Sequence, residues 1–200
     1  MPQTKKTKLL DGDYWDNQYK ANTTGWDMGT VSPPLKNYID QLTDKDIRIL
    51  IPGCGNTYEA EYLLEQGFTN VTVIDIAPTL VDKLKQKFKN NSSIKIILID
   101  FFKHQGQYDL ILEQTFFCAL NPELRKDYVD KMYTLLSSSG KLVGLLFGVE
   151  FEKAGPPFGG NKNNYEILFQ PLFRFITFET CINSHPKRAN SELFIILKKK

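Results

Sequence analysis

Two glycines and two acids stand where a nucleoside could be held. Pro52-Gly53-Cys54-Gly55 breaks an apolar run that ends at Ile51. Asp75 follows the turn by about twenty residues, the spacing of a ribose-binding acid. Glycines let a backbone approach a ligand where a Cβ would collide. A helix beginning behind such a turn aims free N–H groups and partial positive charge at the same space. Asp75 ends one apolar run and Asp100 follows the next. A carboxylate at the first position can accept two hydrogen bonds from a ribose diol, and one at the second can meet an adenine amino group. Each acid has a plainer use as a helix cap or a solvated turn. Together, beside the glycine turn, they fit an adenosyl ligand.

The third glycine of a dinucleotide fingerprint is missing: the row reads Gly53-Cys54-Gly55-Asn56-Thr57-Tyr58. The elements around it carry the choice further. Short apolar runs at 47–51, 71–76, 94–99, 108–113 and 141–147 read as strands, and 57–66, 78–88 and 122–136 as helices. Apolar strands alternating with helices predict a parallel sheet covered on both faces. The end of the chain breaks this rhythm. "RFITFETCI" and "SELFIILKK" both read as strands, and "NSHPKRAN" between them is too short for a crossover helix, so the pair should be antiparallel. The expected fold is α/β: a doubly wound, mostly parallel seven-stranded sheet with a C-terminal antiparallel hairpin, as in class I methyltransferases. NAD also contains adenosine, and the acids do not exclude it. The missing glycine and the hairpin favour S-adenosylmethionine (SAM), which has no pyrophosphate to cradle.

Composition fits one ordinary domain over residues 1–200, with 42% apolar and 24% charged residues and a net charge of +2. Basic residues gather at 5–8 and 197–200, not in a stripe, which argues against a nucleic-acid partner. Cys54, Cys118 and Cys181 include no CxxC pair, so no metal site is expected. With no apolar leader and no run of about 18 apolar residues, the expectation is a cytoplasmic protein without membrane contact, by default a monomer.

"GWDMGTVSPPL", "LIPGCGNTYEAEYLLEQG", "DFF", "YDLILEQTFFCALNPELRKDYVDKM" and "GPPFGGNKNNYEILF" follow one another in this order. The set resembles the thiopurine S-methyltransferase family, especially its branch of thiol, halide and thiocyanate methyltransferases. The resemblance runs from about Tyr14 to Lys198. It implies an N-terminal lid over residues 1–45, with Trp15 and Trp26 closing on SAM and Tyr19 standing where the branch often has a second tryptophan. It implies Gly53 with Gly55 in the cofactor loop, Asp75 with Ile76 at the ribose, and Asp100 with Phe101 at the adenine. Gln114 stands where the halide branch often has tyrosine, Thr57 where it usually has glycine. Arg125 matches an arginine near the methyl-transfer site. The aromatics of the lid could equally anchor this polar segment to the core, although their faces suit a sulfonium cation.

Methyl transfer is an in-line displacement for which the protein supplies orientation, desolvation and specificity. No dedicated base stands out. Arg125 could steer an anionic acceptor or make a salt bridge at a helix start. The loop at 148–165 reads as an acceptor lid, with Phe158 and Tyr165 lining it and Phe116 and Phe117 opposite; core packing is the alternative for that pair. Tyr165 and Arg125 are the residues expected at the reaction. Cys118 reads as apolar wall, His104 and His185 as surface loop residues, Glu113 and Asp27 as weaker polar contacts. "EQTFFCA" occupies the place of the DPPY or NPPY tetrad of amino-group methyltransferases. A small-molecule methyl acceptor is therefore expected. The alternatives are a SAM-binding module without turnover and an NAD-linked oxidoreductase.

Overall fold

The computed structural model describes residues 9–200. The basic run at 5–8 and the start of the expected lid lie outside the described residues.

Strands β1 (Ile49–Pro52) and β2 (Val71–Asp75) are buried along their whole length, as their unbroken apolar runs require. With β3 (Ile94–Leu98), β4 (Tyr108–Gln114), β5 (Leu136–Phe147), β6 (Phe173–Thr180) and β7 (Glu192–Lys199) they form one sheet. Its order is β3-β2-β1-β4-β5-β7-β6. The β3 to β5 pairings are parallel, and β7 runs antiparallel to both β5 and β6. The expected fold class and hairpin are thus observed, with β7 inserted between β5 and β6. The chain reverses its direction of travel across the sheet between β1 and β4. The carboxyl ends of these strands form the switch point where open α/β sheets hold ligands.

Alternate residues of each central strand feed different faces. Leu50 and Ile111 join Tyr128, Met132 and Phe169 on one side. Ile49, Ile51, Leu110 and Leu112 join Leu35, Ala60, Leu63 and Leu80 on the other. The covering helices are α3 (Tyr58–Glu65), α4 (Pro78–Lys87), α5 (Arg125–Leu135) and α6 (Lys162–Phe169). Pro78 opens α4, where its missing N–H costs nothing, and Leu80, Val81 and Leu84 form its buried stripe. Among the described residues no helix is long and apolar enough to cross a membrane.

Four local readings of the sequence are corrected. The polar segment before β1 contains helices α1 (Gly12–Lys20) and α2 (Pro33–Ile39). Asp11 caps the first by accepting from Tyr14 N–H at 2.9 Å, and Pro33 opens the second. β5 starts five residues before 141, directly after α5. Its pairing with β4 is irregular between Tyr108 and Leu110, where Gly140 packs so closely that a Cβ would sit 2.9 Å from the Tyr108 carbonyl. The loop after β5 ends in α6, capped by Asn161, and Tyr165 is a helical residue. His104 is only 4% exposed, its Nε2 2.8 Å from the Tyr108 hydroxyl, not a surface residue.

Candidate active site

A cavity of about 1120 Å³ opens at the carboxyl ends of β1, β2 and β4. Its floor is the turn after β1. Gly53 and Gly55 hold φ of +54° and +53°, a region L side chains rarely adopt. A Cβ on Gly53 would lie 2.1 Å from the Phe116 ring, so glycine is required twice over. Thr57, the residue in place of the third glycine, also sits at positive φ (+54°), and its buried hydroxyl has no hydrogen-bond partner.

Asp75 is 8% exposed and faces the cavity. Its Oδ2 accepts from Gly55 N–H at 3.3 Å and its Oδ1 from Ala77 N–H at 3.0 Å. Burial pushes its carboxyl above the ordinary range, against the opposing pull of those backbone donors. An ionised carboxylate has about four lone-pair sites, so two remain for hydroxyl donors. Asp100 also lines the cavity and accepts from Phe102 N–H at 2.9 Å, capping a short turn. Both acids thus accept from local backbone N–H groups and face the cavity. Ile76 and Phe101 lie beside them in the wall.

The N-terminal segment closes the cavity from above. Trp15 and Trp26 meet edge to face at 5.5 Å, and Tyr19 meets Trp26 at 5.8 Å. The Tyr19 hydroxyl reaches over the glycine turn, and burial holds it far above its ordinary pKa range. Polar pins fix this segment. Asp16 Oδ1 accepts from Thr79 N–H at the start of α4, 2.7 Å away. Asp27 accepts from the Asn56 amide and the Tyr58 hydroxyl. Ser32 N–H donates to buried Glu59 at 3.1 Å. Arg188 Nη2 donates to the Trp26 carbonyl at 2.9 Å.

At the far end the wall turns apolar: Phe116, Phe147, Phe151, Pro156 and Pro157 line it with Cys118. Burial raises the Cys118 thiol to about 12, which leaves it neutral and suits the wall reading. Gln114 lines the same end, with both side-chain polar atoms buried and unpartnered.

The residues expected at the reaction are gathered less completely than those expected at the cofactor. All ten cofactor-side residues line the cavity. Arg125, Phe117, Phe158 and Tyr165 do not. Phe117 and Tyr165 are 1% exposed, packed edge to face at 5.4 Å behind the wall. Arg125 turns away, its Nη2 donating to the Phe158 and Gly159 carbonyls at 3.3 and 2.8 Å. The buried cation that does line the cavity is Arg188, 9% exposed, over the Phe147 ring at 5.2 Å and 3.6 Å from Glu192. Sequence reading missed it, yet a signal existed: β6 runs parallel to β5, so the turn "HPKRAN" returns at the ligand end of the sheet.

A fit for SAM rests on these groups. The glycine cradle, two cavity-facing carboxylates and the aromatic lid match a ribose, an adenine and a sulfonium. The unpartnered Gln114 amide leaves polar capacity beyond them.

Comparison with known proteins gives the family and the fold. The model of the family described as Thiopurine S-methyltransferase matches residues 10–195. The chain is 30% identical over 163 residues to "Probable thiol methyltransferase 2" of Arabidopsis thaliana, covering 79% of this chain and 72% of that protein. It is 26% identical to "Thiocyanate methyltransferase 1" of the same plant, covering 92% of this chain and 84% of that one. Among solved structures, a Burkholderia thailandensis 1,6-didemethyltoxoflavin-N1-methyltransferase with bound S-adenosylhomocysteine superposes with a TM-score of 0.75 at 17% identity, over 94% of this chain and 86% of that one.

Proposed function

The chain belongs to the thiopurine S-methyltransferase family of SAM-dependent methyltransferases, and on that premise we propose that it methylates a small soft nucleophile. A thiol or thiocyanate leads, with halide and thiopurine in the same chemical class. The observation that carries this reading is one continuous cavity. It joins the carboxylate and aromatic end to a largely apolar end, with the buried Arg188 and its neighbour Lys187 in the lining.

Bound SAM supplies an activated methyl group on a sulfonium. The residues of this chain do the rest. We assign Asp75, with Gly53, Gly55 and Ile76, to the ribose, and Asp100 with Phe101 to the adenine. Trp15, Tyr19 and Trp26 exclude water and offer aromatic rings to the cation, and water exclusion strengthens every remaining electrostatic contact. Gln114, which lines the acceptor end, offers its amide to the cofactor or to the acceptor.

The acceptor end suits a weakly hydrated, polarisable group. Phe116, Phe147 and the Pro156-Pro157 pair supply no hydrogen bonds that a strongly hydrated nucleophile would need in exchange for water. Thiocyanate and halide have no proton to lose. A thiol ordinarily ionises near about 8.5, and a guanidinium close by draws it toward thiolate. Arg188 is the group we assign to that task.

Three buried free thiols, Cys54, Cys118 and Cys181, suit a reducing cytoplasm, where we place the protein, as a monomer.

The test is transfer from labelled SAM to a panel of small thiols, thiocyanate, iodide and a thiopurine. Transfer to at least one soft acceptor is expected. Tight SAM binding with no transfer to any member would replace this reading with a SAM-binding module.

A further inference from the structure

Arg125 touches the acceptor loop without entering the cavity, and its contacts define a different task from steering charge. Its guanidinium carbon lies 4.8 Å over the Phe117 ring and 5.5 Å over the Tyr165 ring. One nitrogen, Nη2, donates to two successive carbonyls of the loop after β5, Phe158 at 3.3 Å and Gly159 at 2.8 Å. Its Nε is buried without a partner. Arg125 begins α5, so the contacts tie a fixed helix end to a long loop.

That loop has little other freedom at the same point. Phe158 N–H donates to the Cys118 carbonyl at 2.7 Å, and Gly160 N–H to the Val149 carbonyl at 3.0 Å. A Cβ on Gly159 would meet the Val149 carbonyl at 2.2 Å, and one on Gly160 the Tyr165 hydroxyl at 2.3 Å. The Tyr165 hydroxyl in turn donates to the Phe147 carbonyl at 3.0 Å. The stretch clamped here directly follows Pro156 and Pro157, which form cavity wall. A shift of the clamp therefore moves the surface that an acceptor packs against.

We propose that Arg125 is a positioning residue: it braces the Phe158-Gly159 stretch against Phe117 and Tyr165, and through it shapes the acceptor end of the cavity. The proposal rests on the methyltransferase reading for its kinetic consequence only; the bracing itself is independent of the acceptor. A planar guanidinium can stack on rings while it reaches two carbonyls, and an ammonium cannot do both. The brace therefore needs the planar fork of Arg125 and not its charge alone.

Two variants separate shape from charge. Arg125→Lys keeps the charge, and Arg125→Met keeps most of the apolar stem. Both are checked for cooperative unfolding, then compared by amide hydrogen exchange and by transfer to thiocyanate and to a small thiol. The expected result is faster exchange at Phe158 and Gly160 in both variants, about tenfold, with the β1, β2 and β4 amides unchanged. The acceptor KM should rise about tenfold in both, while the SAM Kd stays within about twofold. Full activity of Arg125→Lys beside a crippled Arg125→Met would overturn the proposal in favour of charge steering. Unchanged exchange at Phe158 and Gly160 would overturn it outright, whether or not either acceptor is methylated. Faster loop exchange in a protein that methylates neither acceptor would sustain the bracing and remove only the acceptor assignment.

Discussion

Asp75 is a buried carboxylate that accepts its hydrogen bonds from the backbone N–H groups of Gly55 and Ala77. Such a group is costly to keep ionised unless a ligand donates to it. Asp75→Ala should weaken SAM binding by roughly 1–3 kcal/mol, the scale for losing a charged acceptor. Titration calorimetry on the folded variant reads this directly, and an unchanged Kd would remove Asp75 from the ribose site. Glu113 is another buried acid near the site, and it does not line the cavity. Its Oε1 accepts from Phe116 and Phe117 N–H at 2.8 and 2.9 Å, and its Oε2 pairs with the Tyr128 hydroxyl at 2.6 Å. It thereby folds the turn that sets Phe116 against Gly53. Burial lifts its carboxyl from 4.5 to about 7. The folded value lies above the unfolded one, so the folded state holds the proton more tightly in between. The stability from Glu113 is complete below about 4.5 and is lost as pH rises through about 7, a fall of roughly 3 kcal/mol at most. Glu113→Gln keeps the shape and cannot titrate. Urea unfolding at about pH 5 and about pH 8 should show a steeper fall with pH in the parent protein than in the variant, which keeps only the contribution of the other buried acids. Equal slopes would mean that Glu113 ionises freely in the fold.

At the scale of the turn between β1 and α3, backbone conformation decides what the sequence could reveal. Gly53 and Gly55 announce positive φ by their type. Thr57 does not, yet it holds φ of +54° just before α3. A left-handed threonine costs about 1–2 kcal/mol, and glycine there gives back some of the gain in chain entropy. Thr57→Gly also removes a buried hydroxyl without a partner. The variant should gain about 1 kcal/mol, or roughly 2–4 °C in Tm for a chain of this size. A drop in Tm would show that the hydroxyl has a function in the site. The same contrast explains how much of the fold was readable. β1, β2, β4 and α4 declare themselves through unbroken apolar runs, a proline at a helix start and an apolar stripe. α1, α2 and α6 are short and do not announce themselves, although Asp11, Pro33 and Asn161 are ordinary residues at a helix start. Asp75 and Asp100 were legible because strand ends have a fixed place in a doubly wound sheet. Arg125, Phe117 and Tyr165 were assigned to the reaction because nothing local tells which way a side chain on a loop or helix start will turn. Only the packed structure shows that they stand outside the cavity lining.

Over the whole molecule, the cavity is roofed by one end of the chain and held shut from the other. The Arg188–Trp26 bond joins residues 162 apart in sequence, and Trp26 touches Trp15 and Tyr19. The remaining pins, at Asp16, Asp27 and Ser32, tie the same segment to α4 and α3, so Arg188 is the link from the lid to the β6–β7 connection. Release of a cofactor bound beneath this segment is expected to require that the lid lift and these bonds break. Arg188→Met retains a stem to pack on Phe147 and loses the donor. Paired with Glu192→Gln, it leaves no buried unpaired carboxylate behind. The double variant should release SAM about tenfold faster, the rate equivalent of about 1.4 kcal/mol for a charge-assisted hydrogen bond. Both of the chain's tryptophans, Trp15 and Trp26, lie in the lid, so intrinsic fluorescence reports its position without a label. Stopped-flow displacement with excess S-adenosylhomocysteine measures the release rate. Glu192→Gln alone, with the donor intact, should release SAM at the parent rate. Equal release from the parent and the double variant would mean that the lid is held by its pins to α3 and α4 alone, and that the acceptor end of the cavity opens independently of the cofactor.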